Sequence, residues 1–197
     1  MSATVVAVNE ELSSITMTRR VLIVGAGPGG LLAAIFLLRR NNLVEKTSTK
    51  YDVTLVDPGV DYGKFDQTGL SRFRSWMIRL SAHGLTSIKE IPGLYEDYVS
   101  TLGVQIGRTT FAIGPKFKFE NQLNDEEKQN SGFCVDRNYV CAAMARYLND
   151  HFDNSKTTSG SADFILYYNT RALFVDSEST TAWCDRLIFW TLILSQG

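Results

Sequence analysis

Blocks of apolar and polar residues along the chain predict an alternation of strands and helices. Residues 21–24 (Val-Leu-Ile-Val) form a continuous apolar run, which predicts a strand buried on both faces. An apolar stretch at helical spacing follows and ends near Arg39 and Arg40, and residues 51–56 form a second strand pattern. The polar residues 41–50 between them are predicted to form a surface loop. This order of strand, helix and strand is typical of an α/β protein.

The remaining apolar blocks are shorter and predict a more irregular middle of the chain. Ser81 and Asp136 are placed to cap helices, and Pro92 to begin a helix that stops at Gly103. Strand patterns cover residues 76–80, 104–113, 116–119, 133–135, 164–168 and 171–175, and polar loops cover residues 59–69, 120–130 and 149–163. We therefore predict an α/β fold with a β-rich region inserted at about residues 85–130.

The glycines after the first strand have the G-x-G-x-x-G spacing of a dinucleotide-binding turn. Gly25 permits the tight turn that leaves the strand, Gly27 lets the backbone approach a pyrophosphate, and Gly30 lets the helix pack close to the strand. Backbone N–H groups of the first helical turn then face the phosphates. Ala26 and Gly29 lie within the same turn and complete this candidate site. The alternative is a glycine-rich turn in an unrelated α/β protein.

Asp57 ends the second predicted strand, where an acidic side chain can accept hydrogen bonds from the ribose hydroxyls of a dinucleotide. It lies farther from the glycines than the usual distance of about 20 residues, and the polar insert at residues 41–50 accounts for the difference. The alternative role of Asp57 is that of a turn residue before Pro58 and Gly59. We expect the ribose role, because Asp57 stands at the end of the strand.

The composition argues against several classes of function. The chain has 197 residues and a net charge of −1, so no basic excess indicates a nucleic-acid partner. It has two histidines and three cysteines without C-x-x-C spacing, so we predict no metal site and a reducing, intracellular compartment. The first 18 residues contain no Lys or Arg, which argues against a targeting presequence. The apolar run at residues 187–194 is too short to span a membrane.

Three stretches resemble the FAD-dependent aromatic hydroxylases, which are flavoprotein monooxygenases, and within them the kynurenine 3-monooxygenases. The first stretch is the strand and glycine turn at residues 21–30. The second is residues 74–84, Arg-Ser-Trp-Met-Ile-Arg-Leu-Ser-Ala-His-Gly, and the third is residues 134–140, Cys-Val-Asp-Arg-Asn-Tyr-Val. In order and spacing, the resemblance covers roughly residues 20–176.

The resemblance implies an FAD-type Rossmann-like βαβ domain. The residues that would contact FAD are Gly25, Ala26, Gly27, Gly29, Gly30, Asp57, Arg74 and Arg137. Arg137, at a helix start, is suited to a bidentate grip on phosphate, and a solvated charge is the alternative. Arg74 corresponds to an arginine near the flavin, and an exposed charge beside a strand is again the alternative. NADPH is implied as the reductant of FAD and a kynurenine-like aromatic compound as the hydroxylated substrate. No catalytic residue is assigned.

The family's Gly-Asp and Asp-Gly dipeptides, which contact FAD and NADPH in its members, do not occur in this chain. They normally lie beyond the point where this sequence stops, together with much of the substrate-binding sheet. We therefore expect the N-terminal part of a monooxygenase, with an extension at residues 1–18, an FAD-binding domain at residues 19–176 and an atypical tail at residues 177–197. The resemblance implies the cytoplasm or the face of the mitochondrial outer membrane as the location.

Two other functions stay open. An NAD-linked dehydrogenase uses the same glycine spacing, although the chain shows no convincing catalytic His, Tyr-Lys or Cys arrangement. A non-catalytic carrier or interaction module with an FAD-type fold is the other alternative. The sequence assigns neither the substrate-facing residues nor the oligomeric state.

Overall fold

The structure, a computed structural model, describes residues 17–43, 49–114, 117–124, 128, 132–152, 164–176, 181–185 and 190–191. Within these residues the chain forms one parallel sheet, two antiparallel sheets and an antiparallel hairpin, combined with helices. The predicted α/β fold class is therefore confirmed as a mixed α/β arrangement.

A three-stranded parallel sheet carries the glycine turn. Its strands are β1 (Thr18–Val24), β2 (Lys50–Val56) and β8 (Phe164–Tyr167), in the order β1-β2-β8. Helix α1 (Pro28–Leu43) connects β1 to β2. Strands β1 and β2 are paired in parallel along their whole lengths, with Val24 opposite Val56. The predicted order of strand, helix and strand is confirmed.

Strand β1 lies at the edge of this sheet, which corrects the prediction that it is buried on both faces. Among the described residues its strand neighbour is β2, and the Val24 side chain is 56% exposed. Residues 21–23 are half-buried. By contrast, Val53 and Leu55 of the central strand β2 are fully buried. An apolar run becomes a buried strand only where other layers cover both of its faces, and β1 has only partial cover.

Helix α1 continues to Leu43, beyond its predicted end near Arg40. The side chain of Asn41 donates to the backbone oxygen of Tyr51 and accepts from the Tyr51 N–H, both at 2.7 Å. These two bonds fasten the end of the helix to the start of β2. The loop predicted at residues 41–50 is therefore shorter, and its residues 44–48 lie outside the described part of the chain.

Helix α4 (Arg137–Phe152) packs against α1 at the centre of the core. Asp136 caps it as predicted, because the Asp136 Oδ1 accepts from the N–H of Asn138 at 2.7 Å. The helix extends past its predicted end at Leu148 to Phe152. The buried side chains that α1 and α4 contribute to this core include Leu31, Ala34, Ile35, Leu38, Val140, Met144 and Leu148.

An antiparallel sheet leads the chain into α4. Its strands are β3 (Met77–Leu80), β7 (Phe133–Asp136) and β4 (Val104–Gln105), in the order β3-β7-β4. Met77 lies opposite Asp136, so the start of β3 is beside the start of α4. This pairing places part of the second family-like stretch next to the third.

Short helical elements fill the connections. The predicted loop at residues 59–69 contains a 3₁₀ turn at Tyr62–Lys64 and most of helix α2 (Gln67–Leu70). Ser81 caps helix α3 (Ala82–Lys89) as predicted, by accepting from the N–H of Gly84 at 3.5 Å. The helix predicted after Pro92 is a short π-helix at Leu94–Val99.

A hairpin of β5 (Arg108–Ile113) and β6 (Phe117–Gln122) projects from the middle of the chain. The strand predicted at residues 104–113 is divided into β4 and β5, because β4 pairs with β7 whereas β5 pairs with β6. One face of the hairpin carries large apolar side chains that are 59–61% exposed, namely Phe111, Ile113, Phe117 and Phe119. On the other face, Glu120 forms ion pairs with Arg108 and Lys118.

The last described strands form a second antiparallel sheet. They are β9 (Ala172–Asp176), β10 (Thr181–Cys184) and β11 (Trp190–Thr191), in the order β11-β10-β9. The strand predicted at residues 171–175 thus pairs with β10, which lies within the predicted tail at residues 177–197. The predicted domain boundaries stay predictions, and residues 1–16 of the predicted extension lie outside the described part of the chain.

Candidate dinucleotide-binding site

The glycine turn between β1 and α1 has the geometry that its spacing predicts. Gly25 has a φ of +107°, a conformation that favours glycine, and its N–H donates to the oxygen of Val56 at 2.8 Å. A Cβ on Gly30 would lie 2.0 Å from the Gly25 oxygen, so any side chain there would collide with the backbone. The N–H of Leu31 donates to the Gly27 oxygen at 3.0 Å, as α1 begins at this point.

Arg137 lies directly over the glycine turn. A Cβ on Gly27 would lie 3.1 Å from the Nη2 atom of Arg137, with that guanidinium as its nearest neighbour. Two residues that were predicted separately to contact the pyrophosphate thus face the same space. The Arg137 guanidinium thus occupies the space beside Gly27, where α1 begins, and both a cation and a helix N-terminus favour an anion.

Asp57 fastens the glycine turn to the loop after β2. Its Oδ2 accepts from the N–H of Ala26 at 2.6 Å, and its Oδ1 accepts from the N–H of Gly59 at 2.6 Å. Asp57 therefore fills the turn role that was the alternative to ribose binding. The two roles are compatible, because each carboxylate oxygen has a second lone pair that can accept a ribose hydroxyl.

The backbone around Arg137 is held by the segment before β3. The N–H of Arg137 donates to the oxygen of Trp76 at 3.0 Å. The Ser75 hydroxyl donates to the Asp136 Oδ1 at 2.6 Å, and the same oxygen accepts from the N–H of Asn138. Sequence reasoning assigned Asp136 only a capping role and missed Ser75, because side-chain pairs between distant segments leave no local pattern.

The remaining predicted residues, Arg74 and Gly29, are both exposed. Arg74 is exposed, and its guanidinium lies over the Trp76 ring at 5.2 Å from the ring centroid. Gly29 is also exposed, and a Cβ there would have no neighbour within 4 Å. The structure therefore brings together Gly25, Ala26, Gly27, Gly30, Asp57 and Arg137.

Three neutral titratable groups lie close to this cluster, of which Cys141 is buried and Tyr62 and Tyr168 are half-buried. Burial raises the pKa of the Cys141 thiol to about 11, and the positive charge of Arg137 opposes this shift. Burial also raises the pKa of Tyr62, again against the influence of Arg137. Burial raises the pKa of Tyr168, and the carboxylates of Asp61 and Asp57 add to the shift. All three groups therefore keep their protons at neutral pH.

Asn138, the residue after Arg137, is 1% exposed. Neither polar atom of its carboxamide has a hydrogen-bond partner within the part of the chain that the structure describes. Buried polar atoms are nearly always hydrogen-bonded, so the Asn138 carboxamide at the start of α4 is an exception among the described residues. The sequence pattern did not single it out.

A cleft of about 530 Å³ opens between the loop after β2 and the end of β8. It is lined by the loop after β2, including Asp61 and Lys64, and by the end of β8, including Tyr167 and Tyr168. The N–H of Asp57 donates to the Tyr167 oxygen at 2.9 Å, which joins this cleft to the strand ends. Ligands of open α/β sheets bind outside the carboxyl ends of the strands, where the cleft and the glycine turn both lie.

Two further properties of the described residues bear on the site. No group of three or more His, Cys, Asp or Glu side chains among them is arranged to hold a metal ion. None of their helices combines the length and the apolar character needed to cross a membrane.

The fold of this chain also occurs in proteins of known structure. No protein-family model and no curated protein sequence matches the chain. Among solved structures, it resembles p-nitrophenol 4-monooxygenase PnpA from Pseudomonas putida DLL-E4, with a TM-score of 0.52 and 13% identity over 85% of this chain. It also resembles CtdE, solved in complex with FAD and substrate 4, with a TM-score of 0.52 and 13% identity over 86% of this chain. The chain therefore shares its fold with a part of each of these two proteins.

The shared fold covers only part of those proteins. The chain spans 35% of the length of PnpA and 35% of the length of CtdE. At 13% identity the similarity concerns the fold alone, so the function of this chain has to be argued from its own residues.

Proposed function

We propose that this chain binds FAD through a Rossmann-like βαβ unit and corresponds to the cofactor-binding part of a flavoprotein monooxygenase. The observation that carries the proposal is the position of Arg137 over Gly27, beside the N-terminus of α1. A pyrophosphate carries two negative charges, and here a guanidinium lies against the glycine turn where α1 begins, with no Cβ on Gly27 to hold it away. The fold shared with a protein solved in complex with FAD supports the same ligand.

Each residue of the cluster has a defined role in this proposal. Gly25 and Gly30 shape the turn, Gly27 lets the Arg137 guanidinium lie against the backbone, and Arg137 pairs with the pyrophosphate. Asp57 accepts the ribose hydroxyls and holds the turn through Ala26. An acid at this position disfavours a ribose 2′-phosphate, so the proposed co-substrate NADPH would bind elsewhere.

The proposed reaction is the hydroxylation of an aromatic, kynurenine-like compound in a reducing, intracellular compartment. Bound FAD would supply the redox chemistry with NADPH and oxygen. The resemblance of residues 74–84 and 134–140 supports the substrate class, and the three free cysteines support the compartment. Because the chain spans only 35% of the length of PnpA, the complete activity is part of the proposal.

A flavin titration tests this function. The purified chain is first shown to be folded by circular dichroism and is then titrated with FAD, with flavin fluorescence and the visible spectrum as readouts. We expect saturable binding and a yellow protein. A folded chain that binds NAD but not FAD would instead support the dehydrogenase alternative. A folded chain that binds neither would support the non-catalytic module.

A further inference from the structure

We propose that Asp136, together with Ser75, is a positioning residue that holds Arg137 over the glycine turn and thereby sets the affinity for the pyrophosphate. This inference rests on the proposed FAD-binding function. It assigns a role in ligand binding to two residues that make no contact with the glycine turn themselves.

Hydrogen bonds fix the backbone at Arg137 and at the residue after it. The Oδ1 of Asp136 accepts from the Ser75 hydroxyl at 2.6 Å and from the N–H of Asn138 at 2.7 Å. The N–H of Arg137 itself donates to the Trp76 oxygen at 3.0 Å. The start of α4 is therefore attached to the segment before β3 through both a side chain and the main chain.

This attachment matters because an arginine side chain is long and has many rotamers. A guanidinium pairs well with phosphate only when its base is placed correctly, and a fixed base reduces the freedom lost on binding. Loss of the Asp136 bonds would release the first turn of α4. The Arg137 guanidinium would then be found over Gly27 for a smaller fraction of the time.

The hydrogen bonds and the negative charge of Asp136 have opposite effects on the affinity of the site for an anion. As a negative charge beside Arg137, the carboxylate weakens the attraction of the site for an anion. As an acceptor of two hydrogen bonds, it strengthens binding by ordering the arginine. Asp136→Asn keeps an acceptor oxygen and the capping ability but removes the charge, whereas Asp136→Ala removes both.

The experiment compares the dissociation constant for FAD of the wild-type chain with those of Asp136→Ala, Asp136→Asn and Ser75→Ala, with folding monitored by circular dichroism. We expect Asp136→Ala to bind about tenfold more weakly and Ser75→Ala a few-fold more weakly. Asp136→Asn should bind as tightly as the wild-type chain, or more tightly. Ser75→Ala keeps the helix cap, so it tests the attachment even where Asp136→Ala does not fold.

Asp66 provides a matched control for the loss of a helix cap. It caps α2 by accepting from the N–H of Gly69 at 2.7 Å, and Asp66→Ala should leave the FAD affinity unchanged. The proposal is overturned where folded Asp136→Ala and Ser75→Ala bind FAD as the wild-type chain does. It is also overturned where Asp136→Ala and Asp136→Asn both bind more tightly. Failure of the wild-type chain to bind FAD would refute the proposed function itself, which separates the two tests.

Discussion

The Nη2 atom of Arg137 lies 3.1 Å from the point that a Cβ on Gly27 would occupy. The two residues are far apart in the sequence, and each belongs to a different family-like stretch. Their approach places a cation against the turn that is proposed to bind the pyrophosphate.

Substitution of Gly27 by valine is expected to abolish FAD retention. The valine side chain would collide with the Arg137 guanidinium, whose Nη2 atom lies 3.1 Å from the Cβ position, and would displace the group that is proposed to pair with the pyrophosphate. Flavin absorbance of the purified variant measures the effect. Gly107→Ala is the control, because Gly107 lies outside the glycine turn and a Cβ there meets nothing within 4 Å, so this variant should retain flavin. Equal flavin content in the Gly27 variant and the wild-type chain would contradict the prediction.

Substitution of Arg137 by alanine is expected to weaken FAD binding by about tenfold to a hundredfold, the range for a lost charged hydrogen bond. Arg137→Lys should recover part of the affinity, because lysine keeps the charge but not the bidentate geometry. Titrations at low and high salt should show a smaller salt effect for the alanine variant. Arg74→Ala, which removes a guanidinium lying over Trp76, should have a smaller effect. The reverse ranking of the two alanine variants would exclude the assigned role of Arg137.

Substitution of Gly30 by alanine should destabilise the fold by more than about 2 kcal/mol, because the new Cβ would collide with the Gly25 oxygen. The free energy of unfolding in urea measures this effect. Gly84→Ala in α3 is the matched control, since its Cβ would meet only the Ser81 hydroxyl at 4.0 Å. That variant should be about 0.5–1 kcal/mol more stable than the wild-type chain. A stable Gly30 variant would show that α1 and β1 are not packed this closely.

Stability should fall at alkaline pH because of Cys141. Burial raises the pKa of its thiol to about 11 in the folded chain, whereas an unfolded cysteine has a pKa of about 8.5. The unfolded chain therefore loses this proton first. The contribution of the thiol is complete below about pH 8.5 and is lost as the pH rises toward 11. Between pH 7.5 and 9.5 the expected loss is roughly 1.4 kcal/mol.

Urea unfolding at these two pH values tests the Cys141 prediction. Cys141→Ala should show a smaller loss of stability than the wild-type chain over the same interval. Cys134→Ala, a change at a half-buried cysteine of β7, should keep the full loss because Cys141 is still present. The same loss in Cys141→Ala and the wild-type chain would rule out the thiol as its source.

Local physics explains why part of this structure could be predicted from the sequence. The positive φ of Gly25, the close packing at Gly30 and the caps at Ser81 and Asp136 each depend on a few neighbouring residues. The spacing of these residue types therefore sufficed to predict them.

Features that depend on long-range packing could not be predicted from the sequence. Burial of β1 depends on what covers it, and the exposed Val24 reflects an edge position that an apolar run does not encode. Ser75 meets Asp136 only because β3 and β7 are paired, and Asn138 is buried only because α4 packs into the core. The family resemblance implied a contact of Arg137 with FAD, but no pattern in the sequence predicted that its guanidinium lies against Gly27.

The hydrogen bonds from the N–H groups of Ala26 and Gly59 to the Asp57 carboxylate affect the kinetics of ligand binding. These bonds order the glycine turn and the loop after β2 when the chain folds. A dinucleotide would therefore bind to a preorganised site that does not have to rearrange. Association should then follow a single exponential whose rate rises linearly with ligand concentration, without a plateau set by a slow conformational step.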